Sequence, residues 1–119
     1  MMPKESLFKI ISVNADEGTI IASVEVDADS DILKGHFPDQ PVVPGACMVQ
    51  LVKEVLADTL NKPLRLSKAD NIKFLSLIES GTGSLQLNIN YQLSDSDIKV
   101  SAALLSGELT FMKLQGIFV

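Results

Sequence analysis

The sequence predicts an α+β domain in which one long helix packs on one antiparallel sheet. Most of the 119-residue chain consists of alternating or β-branched apolar segments separated by short turns, as expected for strands. Only residues 44–60 carry a long apolar pattern at helical spacing. Because short connections join consecutive strands, the sheet should be antiparallel, and one helix covering one such sheet is an α+β layout.

The length and composition indicate a single globular domain over residues 1–119. The chain is 46% hydrophobic, which is typical of a folded protein rather than a disordered one. It has no apolar run of about 18 residues, so we expect no membrane-spanning helix. Residues 1–6 are polar and too short for a signal peptide. A single cysteine, Cys47, excludes an internal disulfide and fits a reducing, cytoplasmic location.

Two strands are predicted before the helix. Residues 7–14 form the first strand, with Phe8, Ile10 and Ser12 on one face. Residues 15–18 have turn chemistry, and residues 19–26 alternate clearly between two faces. These two strands should therefore pair as a hairpin. Residues 27–34 are acidic and should form a turn that leads to a short helical piece.

The helix should begin at Pro44, since proline suits the first helical position, where its missing N–H has no cost. Its first half is apolar on nearly all sides, which predicts burial on most sides. Its polar residues recur at helical spacing and form one stripe: Gln50, Lys53, Glu54, Asp58 and Asn61. Asn61 and Pro63 should end the helix. Cys47 lies among apolar neighbours, which favours a packing thiol over a nucleophile.

Four strands are predicted after the helix. Residues 64–78 form an extended run with a break near residues 68–70, and a turn follows at residues 79–83. Residues 84–93 alternate, with Leu85, Leu87, Ile89 and Tyr91 on one face. A turn at residues 94–97 leads to strands at residues 98–105 and 108–119, joined tightly at Ser106-Gly107.

The segment of residues 35–50 contains the chemistry of greatest interest. It holds the only histidine and three of the five prolines, which should stiffen the loop before the helix. The ordinary pKa of a histidine such as His36 lies near neutral, as a proton carrier requires. Gly45 leaves the amides at the helix start unobstructed, and such amides stabilise negative charge. These residues alone leave His36 either a structural histidine or an acid–base group.

The motif Gly35-His36-Phe37-Pro38, followed by Pro41-Val42-Val43-Pro44-Gly45, resembles the signature of the 3-hydroxyacyl-acyl carrier protein dehydratases. The resemblance implies their hotdog fold, an antiparallel sheet wrapped around one central helix. It also implies a lyase of fatty-acid or related lipid synthesis that removes water from a 3-hydroxyacyl thioester. His36 would be the base and the Gly45 N–H the carbonyl donor, with Phe37, Val43 and Pro44 against the substrate.

One position departs from this family. Gln50 stands where the family has a Glu or Asp, supplied from the helix of the second subunit. An amide cannot donate and recover a proton as a carboxyl group can. Glu54 follows one turn later, so the usual order of Glu and then Gln is exchanged. Either Glu54 replaces the acid, or these residues belong to an ordinary solvated stripe.

The alternatives to a dehydratase are a non-catalytic hotdog subunit that partners an active one, and a hotdog acyl thioesterase. The resemblance implies at least a homodimer, with a heteromer as the alternative. It implies an acyl thioester on acyl carrier protein or coenzyme A as the substrate.

The charge bears on other partners. A net charge of −5 argues against nucleic acid and does not by itself favour an acidic carrier protein. A basic run after the helix is either a docking site for such a carrier or a solvated face: Lys62, Arg65, Lys68 and Lys73. One histidine and one cysteine are too few for a typical zinc site, and no cofactor-binding loop is visible.

Overall fold

The structure, a computed structural model, describes residues 8–26, 45–76, 78 and 83–119. These residues form six strands and one helix, in the order β1 Phe8–Asp16, β2 Thr19–Val26, α1 Gly45–Leu60, β3 Leu66–Phe74, β4 Ser84–Leu93, β5 Ile98–Ser106 and β6 Leu109–Phe118. All neighbouring strands are antiparallel, in the sheet order β1-β2-β4-β5-β6-β3. The predicted α+β layout is confirmed, and β1 and β3 are the two edges of the sheet.

The predicted hairpin between β1 and β2 is confirmed, with Glu17 and Gly18 as its two-residue loop between Asp16 and Thr19. Both loop residues have positive φ, 23° at Glu17 and 84° at Gly18, as this kind of hairpin turn requires. The Tyr91 N–H also donates to the Gly18 carbonyl at 2.8 Å. The turn is therefore anchored to the strand that pairs with β2.

The predicted face of Ser12 is wrong because β1 contains a bulge. The register shifts between Ile10 and Ser12, so that Ile10 pairs with Val24 but Ser12 pairs with Ser23. Val24 and Ser23 are consecutive residues of one strand and point to opposite faces. The extra residue at position 11 therefore moves Ser12 to the outer face, away from Phe8.

The predicted break near residues 68–70 is also wrong. β3 runs without interruption from Leu66 to Phe74 along β6, with register shifts between Leu66 and Lys68 and between Ala69 and Asn71. Two bulges accommodate the residues that break the alternation of apolar and polar side chains, so the strand continues although this alternation is interrupted.

The core lies between α1 and the inner face of the sheet. The helix buries one stripe of apolar residues: Met48, Leu51, Val52, Val55 and Leu56. On β4, Leu85, Leu87 and Ile89 are buried as predicted, and Tyr91 is half-buried on the same face. Burying each large side chain contributes about 1.5–3 kcal/mol, so this interface is the main source of stability.

The prediction that the first half of α1 is buried on most sides is wrong for the single chain. Ala46 and Gln50 are exposed, and Cys47 and Val49 are only half-buried. One sheet covers one side of a helix, so the described part of the chain leaves this side of the first two turns open.

The helix ends at the predicted residue. Asn61 has a positive φ of 56°, and its N–H donates to the Asp58 carbonyl at 3.3 Å. The Lys62 N–H donates to the Ala57 carbonyl at 3.2 Å, which completes a Schellman motif. Within the described residues, α1 is too short and too polar for a helix that crosses a bilayer.

Candidate active site

The structure describes part of the predicted site. Gly45, Gln50 and Glu54 all lie on α1. His36, Phe37, Val43 and Pro44 lie outside the described residues, so their predicted roles remain predictions.

Gly45 is the first residue of α1, and the first turn contains no acidic side chain. The free amides at a helix start have partial positive charge, and here no neighbouring carboxylate of that turn offsets it. An oxygen that gains negative charge during a reaction would be stabilised at this position.

Phe74 is a residue of this region that the sequence analysis did not identify. It is the last residue of β3, and its ring lies against Gly45 so closely that a Cβ added to Gly45 would sit 2.8 Å from the ring Cζ. Phe74 and the following Leu75 are each 51% exposed, which is unusual for large apolar side chains beside a helix start. The bulges in β3 hid the alternation that would have placed Phe74 on the helix side of the sheet.

Gln50 and Glu54 lie one turn apart on one face of α1. The Gln50 amide donates to the Glu54 carboxylate over 3.5 Å, at the long limit of a hydrogen bond. Gln50 is exposed and Glu54 is half-buried. The amide can therefore orient the carboxylate while leaving it open to a ligand from the side that the sheet does not cover.

Cys47 is half-buried on the same side of the helix. Its burial, and secondly the negative charge of Glu54, raise the pKa of the thiol. A raised pKa keeps the thiol protonated near neutral pH, so the predicted packing role is favoured over a nucleophilic one. No group of three or more His, Cys, Asp or Glu side chains in the described ranges is arranged to hold a metal ion.

The helix itself keeps Gly45 and Glu54 apart. Glu54 follows Gly45 by nine residues, which corresponds to about 13.5 Å along a helix axis. A carbonyl held at Gly45 and a hydroxyl two carbons away from it cannot both be within hydrogen-bond reach of the same chain's residues at this separation. If the two groups act on one substrate, they come from two chains.

The four basic residues predicted as a docking cluster are distributed from the segment after α1 to the end of β3. Lys68 is paired with Asp70 at 3.5 Å. Lys73 instead lies directly opposite Lys113 of β6. Lys62 lines a small cavity together with Asp95 and Asp97 at the opposite end of β3.

Solved structures with this fold include two that cover nearly the whole chain. The dehydratase heterocomplex ApeI:P from Xenorhabdus doucetiae has a TM-score of 0.74 at 20% identity and covers 92% of this chain and 96% of its own. An uncharacterized protein from Erwinia carotovora subsp. atroseptica has a TM-score of 0.69 at 23% identity. It covers 100% of this chain and 97% of its own. At these identities the likeness establishes the fold, which is the predicted hotdog fold.

The sequence is also similar to curated proteins. A 3-hydroxyacyl-[acyl-carrier-protein] dehydratase FabZ of Francisella tularensis subsp. novicida is 35% identical over 65 residues, which is 49% of this chain and 40% of the relative. The match therefore spans less than half the length of that relative. Residues 12–108 match the model of the ApeI-like family, described as ApeI dehydratase. This match extends over most of the chain and includes the described helix, strands β2 to β5 and the second half of β1, so the chain belongs to the ApeI-like dehydratase family.

Proposed function

We propose that this protein dehydrates 3-hydroxyacyl thioesters at a site that two chains form together. The observation that carries the proposal is the start of α1, where the Gly45 amide lies in a first turn without acidic side chains and beside the half-exposed ring of Phe74. The amide suits a thioester carbonyl, and the exposed ring offers an apolar surface to the acyl chain. Family membership and the motif around His36 support the same reaction. An acyl carrier protein or coenzyme A would carry the substrate, within lipid synthesis in the cytoplasm.

The proposed reaction assigns one role to each residue. His36 removes the C2 proton of the substrate, and the electron pair of the C2–H bond moves toward the thioester carbonyl. Negative charge that develops on the thioester oxygen is held by the Gly45 N–H. The same electron pair then forms the C2–C3 double bond as the C3–O bond breaks, and Glu54 gives its proton to the departing hydroxyl, which leaves as water. Gln50 orients the Glu54 carboxylate through its amide.

The open side of α1 supports the participation of a second chain. Ala46 and Gln50 are exposed there, and Glu54 is only half-buried. A second copy on this side would bring its Glu54 toward the Gly45 and His36 of the first chain, which one helix cannot do alone. We therefore propose a homodimer as the smallest active unit.

A mixing experiment tests this proposal. His36→Ala and Glu54→Gln should each lower the rate by about two to four powers of ten, the usual contribution of an acid or base. When the two variants are unfolded, mixed and refolded together, the mixed dimers should contain one intact site and regain a substantial part of the activity. The measurement is hydration of a 2-enoyl thioester, followed by the loss of its ultraviolet absorbance.

Asp58→Asn is the matched control, because Asp58 is an exposed carboxylate one turn further along the same helix. It should keep the wild-type rate. An active wild type whose rate survives Glu54→Gln would remove Glu54 from the mechanism. Failure of the mixture to regain activity would contradict the two-chain site.

The exposed Gln50 favours a second candidate, a non-catalytic subunit of a mixed dehydratase. Its amide occupies the position where the acid is expected, and the neighbouring ApeI:P structure is a heterocomplex. In that case the wild type alone should be inactive, and Glu54→Gln should change nothing. Gln50→Glu should then create weak activity. Release of free thiol in the same assay would instead identify a thioesterase.

A further inference from the structure

The edge strand β1 has apolar side chains that the described part of the chain leaves exposed. Among the described strands only β2 pairs with β1, so the free edge of β1 can pair with another strand. Ile10 is 40% exposed, Ile11 55% and Val13 43%. Charged residues, which commonly protect a sheet edge, occur only near the two ends of the strand, at Lys9 and Asp16. The strand therefore has the composition of an interior strand at an edge position.

The bulge in β1 gives the strand one apolar and one polar face. Three of its exposed residues pair with buried residues of β2 and lie on the inner face: Ile10, Val13 and Ala15. Four others pair with residues of the opposite face of β2 and lie on the outer face: Lys9, Ser12, Asn14 and Asp16. Without the extra residue at position 11, Lys9 and Asp16 would lie on opposite faces, because alternate residues of a strand do so.

The inner face of β1 is complementary to that of a second copy. Consider two copies of β1 that run antiparallel about a twofold axis at Val13. Val13 then lies opposite the partner's Val13, and Ile10 lies opposite the partner's Ala15. The bulge residue Ile11 of each copy needs no opposite residue, which keeps the two faces in register along the whole strand. Every inner-face pair in this arrangement is apolar.

The outer face agrees with the same register. Ser12 lies opposite the partner's Asn14, and Lys9 lies opposite the partner's Asp16 at both ends of the strand pair. Neither Lys9 nor Asp16 forms an ion pair within the described residues. Lys9 would then lie between Glu25, its neighbour on β2, and the partner's Asp16. A shift of the register by one residue would instead bring apolar and polar faces together, so this alignment is strongly favoured.

We propose that β1 is a second interface between copies of this chain, in which two β1 strands pair antiparallel about Val13. A single strand pair is a small interface, so it forms at sub-millimolar rather than micromolar concentration. β1 and β3 are opposite edges of the sheet, and Phe74, which contacts Gly45, belongs to β3. The β1 interface is therefore separate from the proposed two-chain site, and it joins smaller assemblies into larger ones.

Disulfide cross-linking of the full chain tests the register. Cys47 is the only cysteine, so Cys47→Ala provides a cysteine-free background. In Val13→Cys/Cys47→Ala the two Cα atoms at the axis are about 5 Å apart, which suits a disulfide. At sub-millimolar concentration, oxidised glutathione should take up the two thiol protons and two electrons and link most chains in pairs.

Ile10→Cys/Cys47→Ala is the matched control for cross-linking. Ile10 has nearly the same exposure as Val13 and lies on the same face. In the proposed register its Cα is roughly 15–20 Å from that of the partner's Ile10, too far for a disulfide. The yield of linked pairs should therefore be several-fold lower than for Val13→Cys/Cys47→Ala.

Charge reversal tests the same interface by sedimentation, without a new covalent bond. The weight-average mass of the wild type at sub-millimolar concentration should approach about twice its micromolar value. Asp16→Lys would set lysines against lysines at both ends of the strand pair and should weaken this association about tenfold. Asp95→Lys makes the same change of charge in the exposed turn between β4 and β5, and it should leave the association unchanged.

The outcomes separate this interface from other kinds of contact. Equal cross-linking of the two cysteine variants would exclude the register. A wild-type mass that does not rise with concentration would exclude the interface itself. Association that survives Asp16→Lys would place the contact on another surface, and equal weakening by Asp95→Lys would assign it to net charge. Cross-linking requires no substrate, so failure of the proposed dehydration would leave this result intact.

Discussion

At the scale of single residues, Gly45 and Phe74 are packed tightly against each other in the candidate site. A methyl group at Gly45 would sit 2.8 Å from Phe74 Cζ, nearer than carbon atoms normally approach. Gly45→Ala should therefore displace the ring. Because Phe74 is half exposed and can move, the stability cost should be only about 1 kcal/mol. In a Phe74→Ala background the cost should nearly vanish. Urea unfolding of the four proteins measures this coupling, and an equal cost in both backgrounds would contradict the contact.

The thiol of Cys47 gives a second test at this scale, through pH. Burial and the negative charge of Glu54 raise the pKa of the thiol, so the reactive thiolate is scarce near neutral pH. Alkylation by iodoacetamide should therefore be slow at pH 7 and rise only above the pH range of an ordinary cysteine. Glu54→Gln removes the second cause, so the rate curve should shift to lower pH. Because burial is the larger cause, the pKa should remain raised in this variant. An unchanged curve would show that the charge of Glu54 does not affect the pKa of the Cys47 thiol.

At the scale of elements, the bulges of β3 depend on a residue in the neighbouring strand. A Cβ added to Gly116 of β6 would lie 2.5 Å from the Lys68 carbonyl oxygen, between the two bulges. Backbone cannot move aside as a side-chain end can, so Gly116→Ala should destabilise the protein by about 2–3 kcal/mol. Gly107→Asn is the control, since Gly107 has a φ of 59° and open space around it, and Asn tolerates this conformation. Equal urea midpoints for the two variants would show that β3 shifts freely.

At the scale of the whole molecule, the open side of α1 predicts assembly. Sedimentation at micromolar concentration should show at least two chains, because a second subunit would cover the exposed helix side and complete the proposed two-chain site. Ala46→Arg is the sharpest probe, since Ala46 is exposed in the single chain and its replacement should leave the fold intact. The variant should sediment as a folded monomer without dehydratase activity. A wild type that is a stable monomer at this concentration would contradict the prediction.

Much of the fold was predictable because most strands alternate without interruption. β2 and β4 begin and end at the predicted residues, and Asn61 ends α1 as expected. Within the sheet, the errors occurred at Ser12 and at residues 68–70, where bulges insert a residue into the strand. A bulge is stabilised by pairing with another strand, and the sequence of the bulged strand alone does not reveal that pairing.

By itself, the sequence determined the fold class, the family resemblance and the residue types of the site, because these depend on local periodicity and on a contiguous motif. The tertiary structure alone decided that Phe74 touches Gly45, that Lys73 faces Lys113, and that one side of α1 remains open. The first two of these features join residues far apart in the chain, and the third depends on which elements pack against the helix. Their distances follow from strand order, register and the packing of one helix on one sheet, which no local pattern specifies.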